Sequence, residues 1–168
     1  MNQSKRITLV AAGVLCAALA GCAALGGEKT YTDKKNGVEI TFPKGWDIIE
    51  SSDAALAIRN ENPRSHVFVS VKLLPEDAGL RSFFENTNNK SLLSNHTLTD
   101  IRKCTLGGAS ALKLEASDSR EDKRTTVYYV VARRRGYALW FHIAESDFDS
   151  YSKDIDAIVK SFTLLKYE

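Results

Sequence analysis

The chain has 168 residues, of which 43% are hydrophobic and 26% are charged, and its formal net charge is +2. This length suits one domain with a core of its own. The near-neutral charge gives no argument for binding to nucleic acid through the field of the whole protein.

The first residues have the composition of a secretory signal peptide. Residues 1–6 are polar and include Lys5 and Arg6, and residues 7–20 form an apolar core. A membrane-spanning helix needs about 20 apolar residues, so this core is short for a permanent anchor. The alternatives are an uncleaved anchor and an ordinary signal peptide that is cut at another residue.

The end of the apolar core resembles the bacterial lipobox, with Leu19, Ala20, Gly21 and Cys22 in that order. The two small residues admit a membrane peptidase, and the thiol accepts a diacylglyceryl group. We therefore predict cleavage of residues 1–21 after Gly21 and further acylation of Cys22. The residue after Cys22 is Ala23, where an Asp often signals inner-membrane retention. We expect the outer membrane, facing the periplasm, in a two-membrane cell, and otherwise the outer face of the plasma membrane.

Cleavage changes the charge and the cysteine count. Loss of Lys5 and Arg6 lowers Lys plus Arg from 23 to 21, which equals the 21 Asp plus Glu, so the mature chain is formally neutral. We expect no nucleic-acid partner and no cofactor other than the lipid on Cys22. Cys104 is then without a disulfide partner, and its alternating apolar surroundings indicate a buried structural thiol.

A tether is predicted at residues 22–30, followed by one domain at residues 31–168. Alternating apolar residues predict its first strands at residues 38–42, 55–59 and 67–73. Pro43 and Gly45 predict a turn between the first two strands.

The second half of the domain has two helical patterns and five strand patterns. The first helix is predicted to begin at residues 75–77, where acidic side chains favour a helix N-terminus. The second follows Ser146 or Asp147 as its N-cap and ends before a final edge strand at residues 162–165. The other strands are predicted at residues 97–106, 111–116, 125–132 and 137–143. These elements predict an α+β fold, with an antiparallel sheet of about six or seven strands flanked by helices.

Three segments resemble the PsbP-like and Mog1-like superfamily. They are a strand that runs into a Phe-Pro-x-Gly-Trp turn, a central Gly-Gly hairpin and a closing helix-to-strand junction, at residues 37–46, 106–111 and 158–162. The resemblance implies an α/β/α sandwich that acts as an extrinsic, non-catalytic binding or assembly factor. It does not extend to the metal or photosystem roles of photosynthetic members.

The sequence contains no motif for catalysis or metal binding. It has no nucleophile elbow, phosphate loop, CxxC pair or HExxH motif. His66, His96 and His142 are isolated in sequence and are interpreted as ordinary histidines. Ser65 and His66 are strand neighbours that point to opposite faces, which is poor geometry for a dyad. Aspartates 147, 149, 154 and 156 lack EF-hand spacing, so we predict neither a catalytic residue nor a metal ligand.

One local feature suggests a binding site: Arg133, Arg134 and Arg135 at a predicted hairpin tip. They are candidate contacts for lipid phosphates or an acidic partner, with a solvated turn as the alternative. The favoured hypothesis is a lipid-anchored, non-enzymatic binding or assembly module for an envelope protein complex. The alternative is a small-ligand carrier or sensor with a cleft between sheet and helix near Trp46 or Trp140. An envelope enzyme is the least favoured hypothesis.

Overall fold

The computed structural model describes residues 27–49, 56–60, 65–88, 96–118 and 120–166. The predicted signal peptide, with Gly21 at its end, and the lipid-bearing Cys22 lie outside these ranges. Cleavage and acylation therefore stay predictions.

The described residues form ten strands and two α-helices. The strands are β1 (Lys29–Asp33), β2 (Val38–Phe42), β3 (Trp46–Ile49), β4 (Leu56–Asn60), β5 (Ser65–Leu73), β6 (Thr97–Leu106), β7 (Ala109–Asp118), β8 (Lys123–Ala132), β9 (Arg135–Ala144) and β10 (Thr163–Leu164). The helices are α1 (Leu80–Asn88) and α2 (Ser152–Ser161), and a short 3₁₀-helix at Glu145–Asp147 precedes α2.

Seven of these strands form one sheet in the order β3-β4-β5-β9-β8-β7-β6, and every neighbouring pair is antiparallel. A second, antiparallel sheet has the order β1-β2-β10. The predicted α+β class with an antiparallel sheet and helices is confirmed, and the predicted edge strand at the C-terminus is β10.

Each face of the large sheet has its own hydrophobic core. On one face, which we call face A, the side chains of Val67, Val69 and Phe141 pack with α2 and the small sheet. On the other face, face B, Tyr129 and Trp140 pack with α1. The central strands β8 and β9 are buried on both faces, which explains their nearly continuous apolar sequences.

Two strands differ from the sequence predictions. β1 already begins at Lys29, although residues 29 and 30 were expected to belong to the tether. In β1 only Tyr31 is apolar, so its sequence lacks an alternating pattern and the strand depends on pairing with β2. β3 was not predicted as a strand, because only four residues follow the turn and they pair with β4.

Both helix starts also differ. α1 begins at Leu80 rather than at residues 75–77, which form a turn in which the Ala78 amide donates to the Pro75 carbonyl. The acidic residues therefore precede the helix. Ser146 and Asp147 lie in the 3₁₀-helix, and Tyr151 occupies the N-cap of α2 without a side-chain capping bond. The predicted caps were wrong because the intervening 3₁₀-helix moves the start of α2 downstream.

Candidate functional site

The three arginines lie where β8 turns into β9. Ala132 pairs with Arg135, so the turn contains two residues, Arg133 and Arg134. Both have positive φ angles, 50° and 60°, as a type I′ hairpin turn requires. The tip is therefore tighter than predicted, because Arg135 and Gly136 belong to β9.

Two further chain segments reach this hairpin tip. The Tyr137 hydroxyl donates to the carbonyl of Asn36, 2.8 Å away in the β1–β2 turn. The Leu165 amide donates to the carbonyl of Gly37 in the same turn, at 3.0 Å. The Arg133 guanidinium in turn donates to the Leu165 carbonyl. The hairpin tip, the β1–β2 turn and the C-terminal segment thus form one end of the domain.

This end is rich in exposed positive charge. Its exposed cations are Lys34, Lys35, Lys72, Arg133, Arg134 and Lys166, which we call the basic end. Lys72 belongs to it because it pairs with Gly136 in the register of β5 and β9. Acidic side chains nearby include Asp33, Glu76 and Asp77. The fold therefore places lysines from three separate segments beside the arginines.

The ion pair between Arg134 and Glu76 at the basic end is weak. Arg134 and Glu76 are 3.5 Å apart, and their side chains are 55% and 87% exposed. Exposed pairs contribute about 0–1 kcal/mol, because solvent screens them and ordering two long side chains costs entropy. A carboxylate or phosphate from a partner can therefore replace Glu76 at little cost.

Apolar surface lies directly beside these cations. Leu73 pairs with Arg135 across β5 and β9, yet its side chain is 69% exposed. On face B, a cavity of about 470 Å³ lies between the end of β5 and α1, lined by Lys72, Leu74, Pro75, Asp77, Ala78, Ser82, Phe83 and Asn86. Gly136 lets the Phe83 ring approach, since a Cβ at this position would lie 2.5 Å from the ring. The basic end thus combines positive charge with an exposed apolar side chain and a recess.

The two tryptophans lie on opposite faces of the large sheet. Trp46 is 1% exposed in the face A core, where its Nε1 donates to Asp154 at 2.8 Å and its ring meets Tyr151 edge to face. Trp140 is 3% exposed in the face B core. One cleft cannot contain both indoles, and each functions in packing. The carrier hypothesis stays a prediction, and its cleft would have to be lined mainly by other residues.

The three histidines, which are far apart in sequence, meet on face B. His66 lies directly opposite His142 in the register of β5 and β9, and Thr125 lies opposite His142 on its other side. Thr125 Oγ1 is 3.1 Å from His142 Nδ1 and 3.1 Å from His96 Nε2. A hydroxyl carries one proton, so Thr125 donates to at most one of the two rings and at least one ring donates to its oxygen. Sequence reasoning missed this grouping, which depends on strand register.

The surroundings of the histidine cluster disfavour protonation of the His66 and His142 imidazole rings. Burial is the main cause that lowers the pKa of His142 to about 4, and the charges of His96, Lys123 and His66 act in the same direction. Burial, followed by Lys123 and Arg59, also lowers the pKa of His66. His142 is therefore uncharged at neutral pH, stacked on Trp140 at an interplanar angle of 4°. The cluster connects β5, β9, β8 and the start of β6.

The described ranges contain no group of His, Cys, Asp and Glu side chains arranged to hold a metal ion. In the same ranges, no helix is long and apolar enough to cross a membrane. Cys104 is half-buried, and burial raises the pKa of its thiol despite the nearby Lys113 and Arg102. The cysteine is thus mainly in its protonated, less reactive form at neutral pH.

Fold and site together define a small α+β domain with a two-sided sheet, two helices and a basic end. The family model described as PsbP matches residues 26–164. The chain therefore belongs to the PsbP family, which confirms the resemblance seen in its sequence motifs. A search of the curated proteins finds no match.

Two solved structures from different bacteria have a similar fold. Cyanobacterial PsbP (CyanoP) from Synechocystis sp. PCC 6803 is similar with a TM-score of 0.67 and 18% identity, over 87% of this chain and 98% of that one. LpqN of Mycobacterium tuberculosis, described as involved in cell envelope biogenesis, is similar with a TM-score of 0.60 and 18% identity, over 83% of this chain and 91% of that one. At these identities the similarity establishes the fold alone.

Proposed function

We propose that this protein is a lipid-anchored, non-enzymatic binding module of the cell envelope. In this proposal its basic end binds an acidic surface of an envelope protein. The observation that carries the proposal is the convergence of exposed Lys and Arg side chains from several chain segments on one end of the domain. The envelope role of the similar protein LpqN also supports it.

The anchor in this proposal is Cys22, at the end of the lipobox-like sequence. Buried acyl chains contribute about 0.8 kcal/mol per CH₂ group, and two or more chains make attachment stable. The tether from Cys22 to Lys29 spans at most about 25 Å when fully extended. The domain therefore stays within a short distance of the bilayer, where envelope complexes are assembled.

A protein partner fits the basic end better than a lipid surface does. The phosphates of a bilayer surface would engage the cations, whereas the cavity lined by Phe83 at this end can also accept an apolar side chain of a protein. Apolar anchors in recesses, surrounded by a charged rim, are typical of protein–protein contacts. Charges of the rim increase the association rate and select partners of opposite charge.

The test is in-cell cross-linking of the full chain followed by mass spectrometry. The variant Lys34→Glu/Arg134→Glu reverses two charges of the basic end. Its matched control, Lys153→Glu/Lys160→Glu, reverses two exposed lysines on α2. We expect a reproducible protein partner that the first variant loses and the control retains.

Two other results would contradict the proposal. If both double variants keep the same partner, the basic end is not the contact surface. If only lipid is cross-linked, and the purified full chain binds vesicles with phosphatidylglycerol but not phosphatidylcholine alone, the basic end binds lipid headgroups instead.

Anchoring is tested separately with Cys22→Ala, which is expected to leave the membrane fraction. Retention of this variant with its signal peptide removed would show another membrane contact.

A further inference from the structure

β6 is the last strand of the seven-stranded sheet, and no strand of the described ranges pairs with its outer edge. It is long for an edge strand, with ten residues, and most of them are exposed. Ile101 is 43% exposed and Leu98 is 52% exposed on this strand. A long exposed edge presents unpaired N–H and C=O groups that can pair with another strand.

The charges of β6 determine which pairing is allowed. Asp100 and Arg102 lie opposite Glu115 and Lys113 of β7 and point to face A, whereas Ile101 points to face B. If two copies of β6 pair antiparallel about a twofold axis perpendicular to the sheet, directly opposite residues must share a face. The axis must then pass between one residue of β6 and the same residue of the second copy.

Of the axis positions at residues 100–103, only the one at Ile101 avoids repulsion between like charges. An axis through Asp100, Arg102 or Lys103 places that charged residue against its own copy. An axis through Ile101 places Ile101 against Ile101 and each Arg102 against Asp100 of the other copy. Opposite charges in directly opposed positions stabilise a strand pair, and like charges destabilise it.

The existing contacts of these side chains allow such pairing. Arg102 lies 3.3 Å from Glu115 and 3.7 Å from Asp100 of its own chain, and the Arg102 and Asp100 side chains are well exposed. A guanidinium has five N–H donors, so Arg102 can serve a second carboxylate. A bulge at Thr99, between Leu98 and Asp100, leaves β6 regular from Asp100 onward, so about an axis at Ile101 the regular pairing covers residues 100–102.

The geometry points to self-association of this protein through β6, with the twofold axis at Ile101. Fourteen strands would then form one continuous sheet. Because the axis is perpendicular to the sheet, the small sheets of both copies, and the Lys29 end of each chain, lie on the same side. Two chains attached to one bilayer could therefore pair, and attachment raises their effective concentration.

Disulfide trapping tests this pairing directly. Opposed residues of antiparallel strands have Cα atoms about 4.5–5.5 Å apart, which is within the range of a disulfide. In the full chain with Cys104→Ser, Ile101→Cys is expected to yield mainly disulfide-linked dimer in membranes under mild oxidation. The matched control is Ile48→Cys, a 50% exposed isoleucine on β3 at the opposite edge of the sheet. It is expected to stay at the background of the Cys104→Ser chain.

Charge exchange supplies the second test, in the Ile101→Cys background. Asp100→Arg and Arg102→Asp each place like charges opposite one another in the two copies and should lower the dimer yield severalfold. The double exchange should restore the dimer yield. Urea unfolding of each variant distinguishes loss of pairing from loss of folding. The inference is refuted if Ile101→Cys forms no more dimer than Ile48→Cys, or if the double exchange fails to restore a folded dimer. A disulfide to a different protein would also refute it.

Discussion

Acid should destabilise this fold through His142. In the folded chain burial holds the pKa of this histidine at about 4, against 6.5 for an exposed imidazole, with His96, Lys123 and His66 adding to the effect. Its Nδ1 is 3.1 Å from the Thr125 hydroxyl. The unfolded chain therefore binds a proton at this residue at a higher pH than the folded chain does.

The sign and size of the effect follow from proton linkage. A depressed histidine pKa means that the stabilisation is fully present above pH 6.5 and is lost as the pH falls toward 4. Between pH 7.5 and pH 5 this one group should lower the free energy of unfolding by about 2 kcal/mol, and by about 3 kcal/mol at pH 4. A difference of this size is a large part of the stability of a small domain.

The assay is urea unfolding of the full chain and of His142→Asn at a series of pH values. The Asn amide can still bond to Thr125 but does not titrate in this range. Glu115 and Asp118, whose pKa values are lowered in the fold, also lose stabilisation in acid, but they do so in both proteins. The wild type should therefore lose about 2 kcal/mol more than the variant between pH 7.5 and pH 5. Parallel pH profiles of the two proteins would refute the argument.

Three further substitutions test packing and turn geometry. Gly136→Ala places a methyl group 2.5 Å from the Phe83 ring, and thermal unfolding should show a loss of about 1–3 kcal/mol from overpacking; an unchanged Tm would contradict this close approach. Arg134→Gly removes the cost of a positive φ of 60° in a side-chain-bearing residue and should stabilise the chain by about 0.5–1 kcal/mol in urea unfolding. Trp46→Phe leaves Asp154 without its 2.8 Å indole donor and should lower the free energy of unfolding by about 1–3 kcal/mol. No loss would indicate that water replaces the indole.

Local patterns in the sequence predicted most of the large sheet. The apolar alternation of β5, the Gly-Gly turn between β6 and β7 and the apolar strands around Arg133 and Arg134 were all read correctly. These features are local, because side-chain alternation and turn chemistry depend on residues that are neighbours in the chain. The family motifs could be recognised in the sequence for the same reason, because each of them is a turn or a junction between neighbouring elements.

Elements without a strong local pattern could not be predicted in this way. β1 has one apolar residue and exists because β2 offers it hydrogen bonds, and β3 is only four residues long. The acidic residues after Pro75 can belong either to α1 or to a turn before it, and they form the turn. The start of α2 is set by the 3₁₀-helix that precedes it. In both cases competing conformations of similar local energy are selected by packing against the sheet.

The sequence by itself determined the leader-like start, the α+β class and the arginine hairpin, since each depends on contiguous residues. Only the tertiary structure brought Lys34 and Lys166 to that hairpin, through the bonds from Tyr137 to Asn36 and from Leu165 to Gly37. It also set His142 between His66 and Thr125, and His66 lies on a strand that is distant from the other two in sequence. The physical reason is that strand register and layer packing join remote segments, and they are decided by the burial of the whole core rather than by any one stretch of chain.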